Sequence, residues 1–375
     1  MTTIDAAKRI ATAVALTVAG TVALAPPAAA SPRLALPPPS GPYAVGRDVL
    51  HLVDRDRRDP WVPENPRELM VSMFYPAAGP GRPARYLSTT EARLLIAERG
   101  ATGLVEPEVV GGTRTAARES ARPRPGRYPL VVLSPGFALH RHTLTHLAEE
   151  LAGRGYVVAA LDHAYESAGT AFPGGRVLTC AACLTDDEAK VVAGRAQDVT
   201  FLLDRLTDAR PAWRHAGLID RTRIGMAGHS IGGNAAAAAM AADRRVRAGV
   251  NMDGSFFQPV PAAGLDRRPF LMLGMPRHRP GDFDTTWDRD WPKLDGWKRW
   301  LTVTGTGHFD FSDVPVLAEQ AGLPDPDFPL PGDRAARIVR DYVGAFFDLH
   351  LRGMPRPLLD GPTTANPEVL FHQPV

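Results

Sequence analysis

A serine between glycines, a histidine on a glycine-rich loop and an aspartate at a strand end can together hydrolyse an ester. The serine is Ser230, in Gly228-His229-Ser230-Ile231-Gly232. A strand-like run, Arg223-Ile224-Gly225-Met226-Ala227, precedes it, and a Gly- and Ala-rich helical stretch, 231–242, follows. That is the setting of a nucleophile elbow, where a sharp turn lifts the serine hydroxyl above a sheet and glycines let the backbones close up. A hydroxyl attacks well only when a base removes its proton. The base is expected to be His308, in Thr304-Gly305-Thr306-Gly307-His308-Phe309, just past a strand candidate. His140, His142 and His146 crowd the start of an early helix and His350 lies in a late one, so they are worse placed.

The base needs an acid to fix its tautomer. Asp253 ends the strand that follows the nucleophile helix, in Asn251-Met252-Asp253-Gly254, and is the favoured choice. Asp282 and Asp284, one strand later, are the alternates. The developing oxyanion needs two backbone N–H donors. Ile231, directly after the nucleophile, supplies one, and Phe137 in Ser134-Pro135-Gly136-Phe137 supplies the other, with Ala138 as its alternate. Pro135 has no N–H to give.

Strand and helix patterns alternate along the chain as a parallel sheet with crossover helices requires. Strands are expected at 69–75, with a possible neighbour at 48–53, and at 128–133, 156–161, 223–227, 247–252, 269–274 and 300–304. Helices are expected at 142–154, stopped by Gly155, at 231–242, and at about 333–351, stopped by Gly353. A further helix carries Val192, Ala196, Val199, Leu202, Leu203 and Leu206 on one apolar face. Residues 164–187 leave the regular pattern. This order is the α/β-hydrolase arrangement, with a mostly parallel sheet, helices on both faces and Ser230 after the middle strand.

Residues 1–30 read as a signal peptide, with Lys8 and Arg9 before an apolar stretch and Ala28-Ala29-Ala30 at the cleavage point. The apolar stretch is short and Ala-rich for a retained membrane anchor, the competing reading. Residues 31–44 form a Pro-rich extended lead-in and 45–375 a single domain. Loss of Asp5, Lys8 and Arg9 takes the formal charge from +2 to about +1. So even a balance gives no electrostatic case for nucleic acid or an anionic membrane. Cys180-Ala181-Ala182-Cys183 sits in the irregular excursion, and in an exported chain a local disulfide is the expected state. A redox motif would open a helix beside an early strand, and zinc would need two more ligands.

Taken together, these residues resemble the platelet-activating-factor acetylhydrolase family, in its secreted and bacterial monomeric branch. The resemblance covers most of the mature chain. It includes Met70-Val71-Ser72-Met73-Phe74-Tyr75-Pro76, the serine motif extended by Gly233, and His308-Phe309-Asp310-Phe311-Ser312-Asp313. The short gap from Ser230 to Asp253 is its most specific element. Ser134-Pro135-Gly136-Phe137 also looks like the turn of actinobacterial cutinases and polyester hydrolases. In those enzymes, however, the acid lies farther from the serine and a methionine stands where this chain has Ile231.

The combined expectation is a secreted serine carboxylic-ester hydrolase, read as a monomer, with no metal or organic cofactor. The acetylhydrolase resemblance implies release of short acyl groups from a phospholipid or similar ester, with transient contact at a lipid interface. Cutinase, polyester hydrolase and triacylglycerol lipase are the alternatives. Phe256, Phe257, Phe309 and Tyr165 are expected near the pocket mouth.

Overall fold

The computed structural model describes residues 33–373, so the signal-peptide expectation lies outside the described residues. Residues 32–375 form one compact unit. The frame is a sheet of β1 (Ala44–Arg58), β2 (Pro66–Ala77), β3 (Tyr128–Ser134), β4 (Val157–His163), β5 (Ile219–His229), β6 (Val246–Met252), β7 (Phe270–Gly274), β8 (Lys298–Val303) and β9 (Val369–His372). Their order across the sheet is β9-β8-β7-β6-β5-β3-β4-β2-β1, continued by two-residue strands at Arg118–Glu119 and Arg82–Pro83. From β4 through β3 and β5 to β8 every pairing is parallel. β2 runs antiparallel to both β1 and β4, and β9 antiparallel to β8.

The helices are α1 (Thr89–Glu98), α2 (Thr145–Arg154), α3 (Glu188–Thr207), α4 (Ile231–Ala242), α5 (Val314–Gln320) and α6 (Gly332–Arg352), with several shorter turns between them. The central strands are apolar on both faces because both are covered. Leu130 and Val132 of β3 face the layer holding α3 and α4, and Val131 and Leu133 face the layer of α2 and α6. α6 stops at Gly353, whose φ of 67° an L side chain resists. Among the described residues no helix is long and apolar enough to cross a membrane.

The structure adds several elements to the sequence reading, α5 among them. β1 is longer than 48–53, because Ala44–Asp54 pairs continuously with Arg67–Ala77. β9, too short to show a period, closes the far edge with Val369 buried and Leu370 exposed. α1, not expected from the sequence, opens on a capping box, in which Ser88 accepts from the Glu91 amide and Glu91 accepts from the Ser88 amide. The Pro-rich lead-in is extended but docked: Leu34 and Leu36 are buried, and the Arg114 amide donates to the Leu34 carbonyl at 2.8 Å.

The irregular excursion is also tied down. Cys180 and Cys183 are joined by a disulfide, and a small hairpin pairs Thr170–Ala171 with Val177–Leu178. Glu166 and Ala168 bond both sides of Ala138, at the turn after β3.

Beneath that turn lies a buried cluster of charges. Arg67 bonds Glu166 at 2.6 Å, Asp198 at 2.7 Å and Asp59 at 2.9 Å, and all four side chains are buried. Arg195 bonds Glu166 at 2.8 Å and donates to the Pro135 carbonyl at 2.5 Å. His163 links Asp198 at 2.8 Å to the Ser134 hydroxyl at 3.1 Å. Each guanidinium offsets desolvation only while its partners remain, so removing one strands buried charge. Arg67→Ala should therefore destabilise the fold by about 3–5 kcal/mol, read from denaturant unfolding beside the wild type; a cost near that of a surface salt bridge would contradict this account.

Candidate active site

Ser230 sits between β5 and α4 with φ 56° and ψ −128°, a conformation a serine adopts only when its surroundings impose it. Its amide donates to the Met252 carbonyl at 2.8 Å, which ties the turn to the end of β6. The two motif glycines let the turn close. A Cβ on Gly228 would lie 2.1 Å from the Gly232 carbonyl, and one on Gly232 2.1 Å from the Ser134 oxygen. The first turn of α4 therefore touches the turn after β3 directly.

The histidine loop follows β8 and brings His308 over the serine. Its Nε2 lies 2.9 Å from Ser230 Oγ and its Nδ1 2.5 Å from Asp253 Oδ2. With the carboxylate as acceptor, the proton is assigned to Nδ1, leaving Nε2 to accept from the hydroxyl. Asp253 is fully buried, while the His308 side chain is 36% exposed. The other carboxylate oxygen, Oδ1, accepts from the Met275 amide at 2.6 Å, and the Asp253 amide donates to the Leu273 carbonyl at 2.9 Å. The carboxylate is thus held from the end of the neighbouring strand. Neither alternate acid bonds His308: Asp282 accepts from the Phe283 amide, and Asp284 lies against His278.

Two residues of this site went unnoticed in the sequence. His229 lies buried beneath His308, its Nε2 donating to the His308 carbonyl at 2.7 Å. Burial, with His308 beside it, pushes the His229 imidazole down to about 3, so it remains neutral. It is a prop for the loop, and its only sequence signal was its place inside the serine motif. His278, packed behind Asp253, had no motif to announce it.

Of the oxyanion candidates, the Ala138 amide is engaged, donating to the Glu166 carbonyl at 3.1 Å. Among the described residues the Phe137 amide donates to no protein group. Ile231 opens α4, so its amide is one of the orphan donors at a helix start. Both amides are free to bind an anion, and the helix dipole favours one there.

A cleft of about 450 Å³ opens at Ser230, Asp253 and His308, with Phe257, Arg277 and Phe283 on its walls. Phe257 is 44% and Phe283 74% exposed, and the Arg277 guanidinium lies 4.0 Å over the Phe283 ring. A second hollow of about 280 Å³ adjoins His308, lined by Leu104, Phe309 and Phe328, with Arg99 3.5 Å over Phe309. Phe257 and Phe309 therefore lie where the sequence put them. Phe256 is buried in the core, and Tyr165 packs in a separate small cluster, bonded to Asn65. Among the described residues no three His, Cys, Asp or Glu side chains are grouped to hold a metal ion.

Comparison with known proteins gives the family. The sequence model of the family "Platelet-activating factor acetylhydrolase, isoform II" matches residues 28–174 and 205–321. A probable 1-alkyl-2-acetylglycerophosphocholine esterase of Arthroderma benhamiae is 29% identical over 90% of this chain and 93% of its own. A platelet-activating factor acetylhydrolase of Canis lupus familiaris is 26% identical over 64% of this chain and 61% of its own. The solved structure of a ferulic acid esterase from Streptomyces cinnamoneus is 44% identical, covers 91% of this chain and 99% of that one, and superposes with a TM-score of 0.82. A family match over most of the chain, an α/β-hydrolase sheet and esterase relatives lead to one conclusion: the chain belongs to the platelet-activating factor acetylhydrolase, isoform II, family and is a carboxylic ester hydrolase.

Proposed function

We propose that the protein is an exported serine esterase that cleaves short acyl groups from phospholipid or related esters. The observation that carries the mechanism is the unbroken hydrogen-bond line from Ser230 through His308 to Asp253. Ser230 Oγ attacks the ester carbonyl while His308 Nε2 takes its proton. Asp253 holds the Nδ1 proton in place and stabilises the imidazolium that forms. The Phe137 and Ile231 amides receive the oxyanion of the tetrahedral intermediate. His308 then returns the proton to the leaving alcohol oxygen, giving the free alcohol and an acyl-serine. A water, deprotonated by the same imidazole, releases the carboxylic acid and restores Ser230.

The phospholipid reading is supported by the family and by the Arthroderma benhamiae relative's description. Leu104 and Phe328 on one side of His308, and Phe257 and Phe283 on the other, form an exposed apolar rim suited to brief contact with a lipid surface. Export is proposed on the N-terminal sequence pattern and on the Cys180–Cys183 disulfide, which suits an oxidising compartment.

A second reading is hydrolysis of aromatic acyl esters. It is favoured by the Streptomyces cinnamoneus ferulic acid esterase likeness and by the two exposed phenylalanines beside Ser230. An acyl chain gains only about 1–3 kcal/mol per methylene in an apolar pocket, so chain-length series separate the readings well. We expect kcat/KM to fall from acetyl to palmitoyl p-nitrophenyl esters, with acetate released from an acetylated ether phospholipid. Faster turnover of methyl ferulate, without phospholipid cleavage, would select the aromatic reading; a maximum at long chains or on a polyester film would select a lipase or cutinase. Ser230→Ala and His308→Ala should each remove nearly all activity without unfolding, and the double variant should be little worse than either. Asp253→Asn should lower kcat by about ten-thousandfold and Asp282→Asn hardly at all; the opposite ranking would relocate the acid.

A further inference from the structure

One carboxylate in the site lies against two imidazoles, bonded to the first and close to the second. Asp253 Oδ2 takes His308 Nδ1 at 2.5 Å, while Oδ1 lies 3.4 Å from His278 Nε2. The other ring nitrogen of His278, Nδ1, lies 3.2 Å from Asp284 Oδ2. A chain of polar side chains therefore runs Ser230, His308, Asp253, His278, Asp284.

His278 is built into this place. It is buried, its ring stacks on Trp287 with centroids 4.5 Å apart, and its carbonyl accepts from Trp300 Nε1 at 2.6 Å. Trp287 also donates its Nε1–H to the carbonyl of Gly254, next to Asp253, at 2.8 Å. One indole thus supports the carboxylate's own backbone and the imidazole behind it.

We propose that His278 is a positioning residue for Asp253: held as an imidazolium between Asp253 and Asp284, it orients the carboxylate and tempers its pull on the His308 proton. The proposal rests on the Ser230 ester-hydrolysis reading.

The surroundings of His278 favour its charge. Burial alone would lower its pKa, but Asp284 and Asp253 outweigh that and raise it above the ordinary histidine value, against opposition from Arg277. The short helix Thr286–Asp290 and β8 present the Trp287 and Trp300 rings to it. Asp284 resists protonation: burial works against its charge, yet the nearby His278 ring and the Thr286 amide, which donates to Oδ1 at 2.8 Å, hold it well below the usual carboxylate range. The geometry thus sets the His278 imidazole between two carboxylates.

The consequence for catalysis has a definite sign. A lone carboxylate at Nδ1 strengthens the hold of His308 on a second proton, and a protonated His308 cannot serve as base. A cation on the far oxygen of that carboxylate weakens the hold. Removing the His278 charge must therefore raise the pKa of His308 and move the acid limb of kcat/KM to higher pH.

The test uses the full chain with His278→Gln, His278→Phe and Asp284→Asn, each checked for folding by thermal unfolding. His278→Phe keeps a ring for Trp287, and Asp284→Asn probes the same line without touching His278. With p-nitrophenyl acetate, both His278 variants should move the acid limb up by about half to one pH unit. Their plateau kcat should fall about tenfold, with KM within about twofold. Asp284→Asn should shift the limb in the same direction by less. Imidazole ¹⁵N shifts should show His278 protonated at pH 7 in the wild type and His308 titrating higher in the variants. A folded His278→Gln with an unmoved acid limb, or a neutral His278 at pH 7, would overturn the proposal, since a merely structural role lowers stability and leaves the limb in place. Ester turnover surviving in Ser230→Ala would defeat the parent reading instead, and the His308 titration would still decide this one.

Discussion

The backbone of Ser230 is the constraint around which the site is arranged. A serine at φ 56° is strained by about 1–3 kcal/mol and keeps that shape only if its neighbours over-determine it. Here the Met252 carbonyl takes its amide, its own carbonyl accepts from Gly233, and Gly228 and Gly232 admit backbone where a Cβ would collide. The parallel register of β3, β5 and β6 brings these groups to one level, with Ser134 beside Gly228 and Met252 beside His229. The same register sets Asp253 one residue beyond the carbonyl that holds the serine. Ser230 and Asp253 are therefore fixed by a single piece of sheet geometry, and only His308 arrives from a loop.

The other half of the site is held from below by charge. Phe137 can offer its amide only if the turn after β3 keeps its shape, and that turn is engaged on three sides. Arg195 takes the Pro135 carbonyl, Glu166 takes the Ala138 amide, and Ala168 bonds the Ala138 carbonyl. Glu166 is itself held by Arg67 and Arg195. The irregular excursion 164–187 thus anchors the turn, and none of its residues lines the cleft at Ser230. A buried ion network is an expensive way to stabilise a fold, but it is directional.

Local chemistry made much of this legible in the sequence. The glycines around Ser230, the carboxylate directly after β6 and the Gly-rich run before His308 are each short-range signals, and each residue lies where its signal put it. Apolar periodicity located the central strands and the faces of α3 and α6 for the same reason. The charged interior was hidden because its members come from β2, β4, α3 and the loops that carry Asp59 and Glu166, far apart in the chain. Arg195 and Asp198 sit among Val191, Val192, Val199 and Leu202 on the buried side of α3, where a hydrophobic count passes over them. His229 and His278 were illegible for a related reason: nothing local distinguishes a histidine that props a loop from one on the surface.

The place of the acid follows from what occupies the end of β7. In many hydrolases of this fold the carboxylate stands after that later strand. Here the corresponding position offers no side chain to His308; it offers the Met275 amide to Asp253 Oδ1. Just beyond it, His278 and Asp284 continue the polar line outward from Asp253. Asp253 after β6 stands beside β5, the strand that ends at Ser230, and the end of β7 supplies both the Met275 amide and the His278 imidazole that flank its Oδ1. The short serine-to-aspartate gap in the sequence and the buried histidine behind Asp253 are thus two sides of one arrangement.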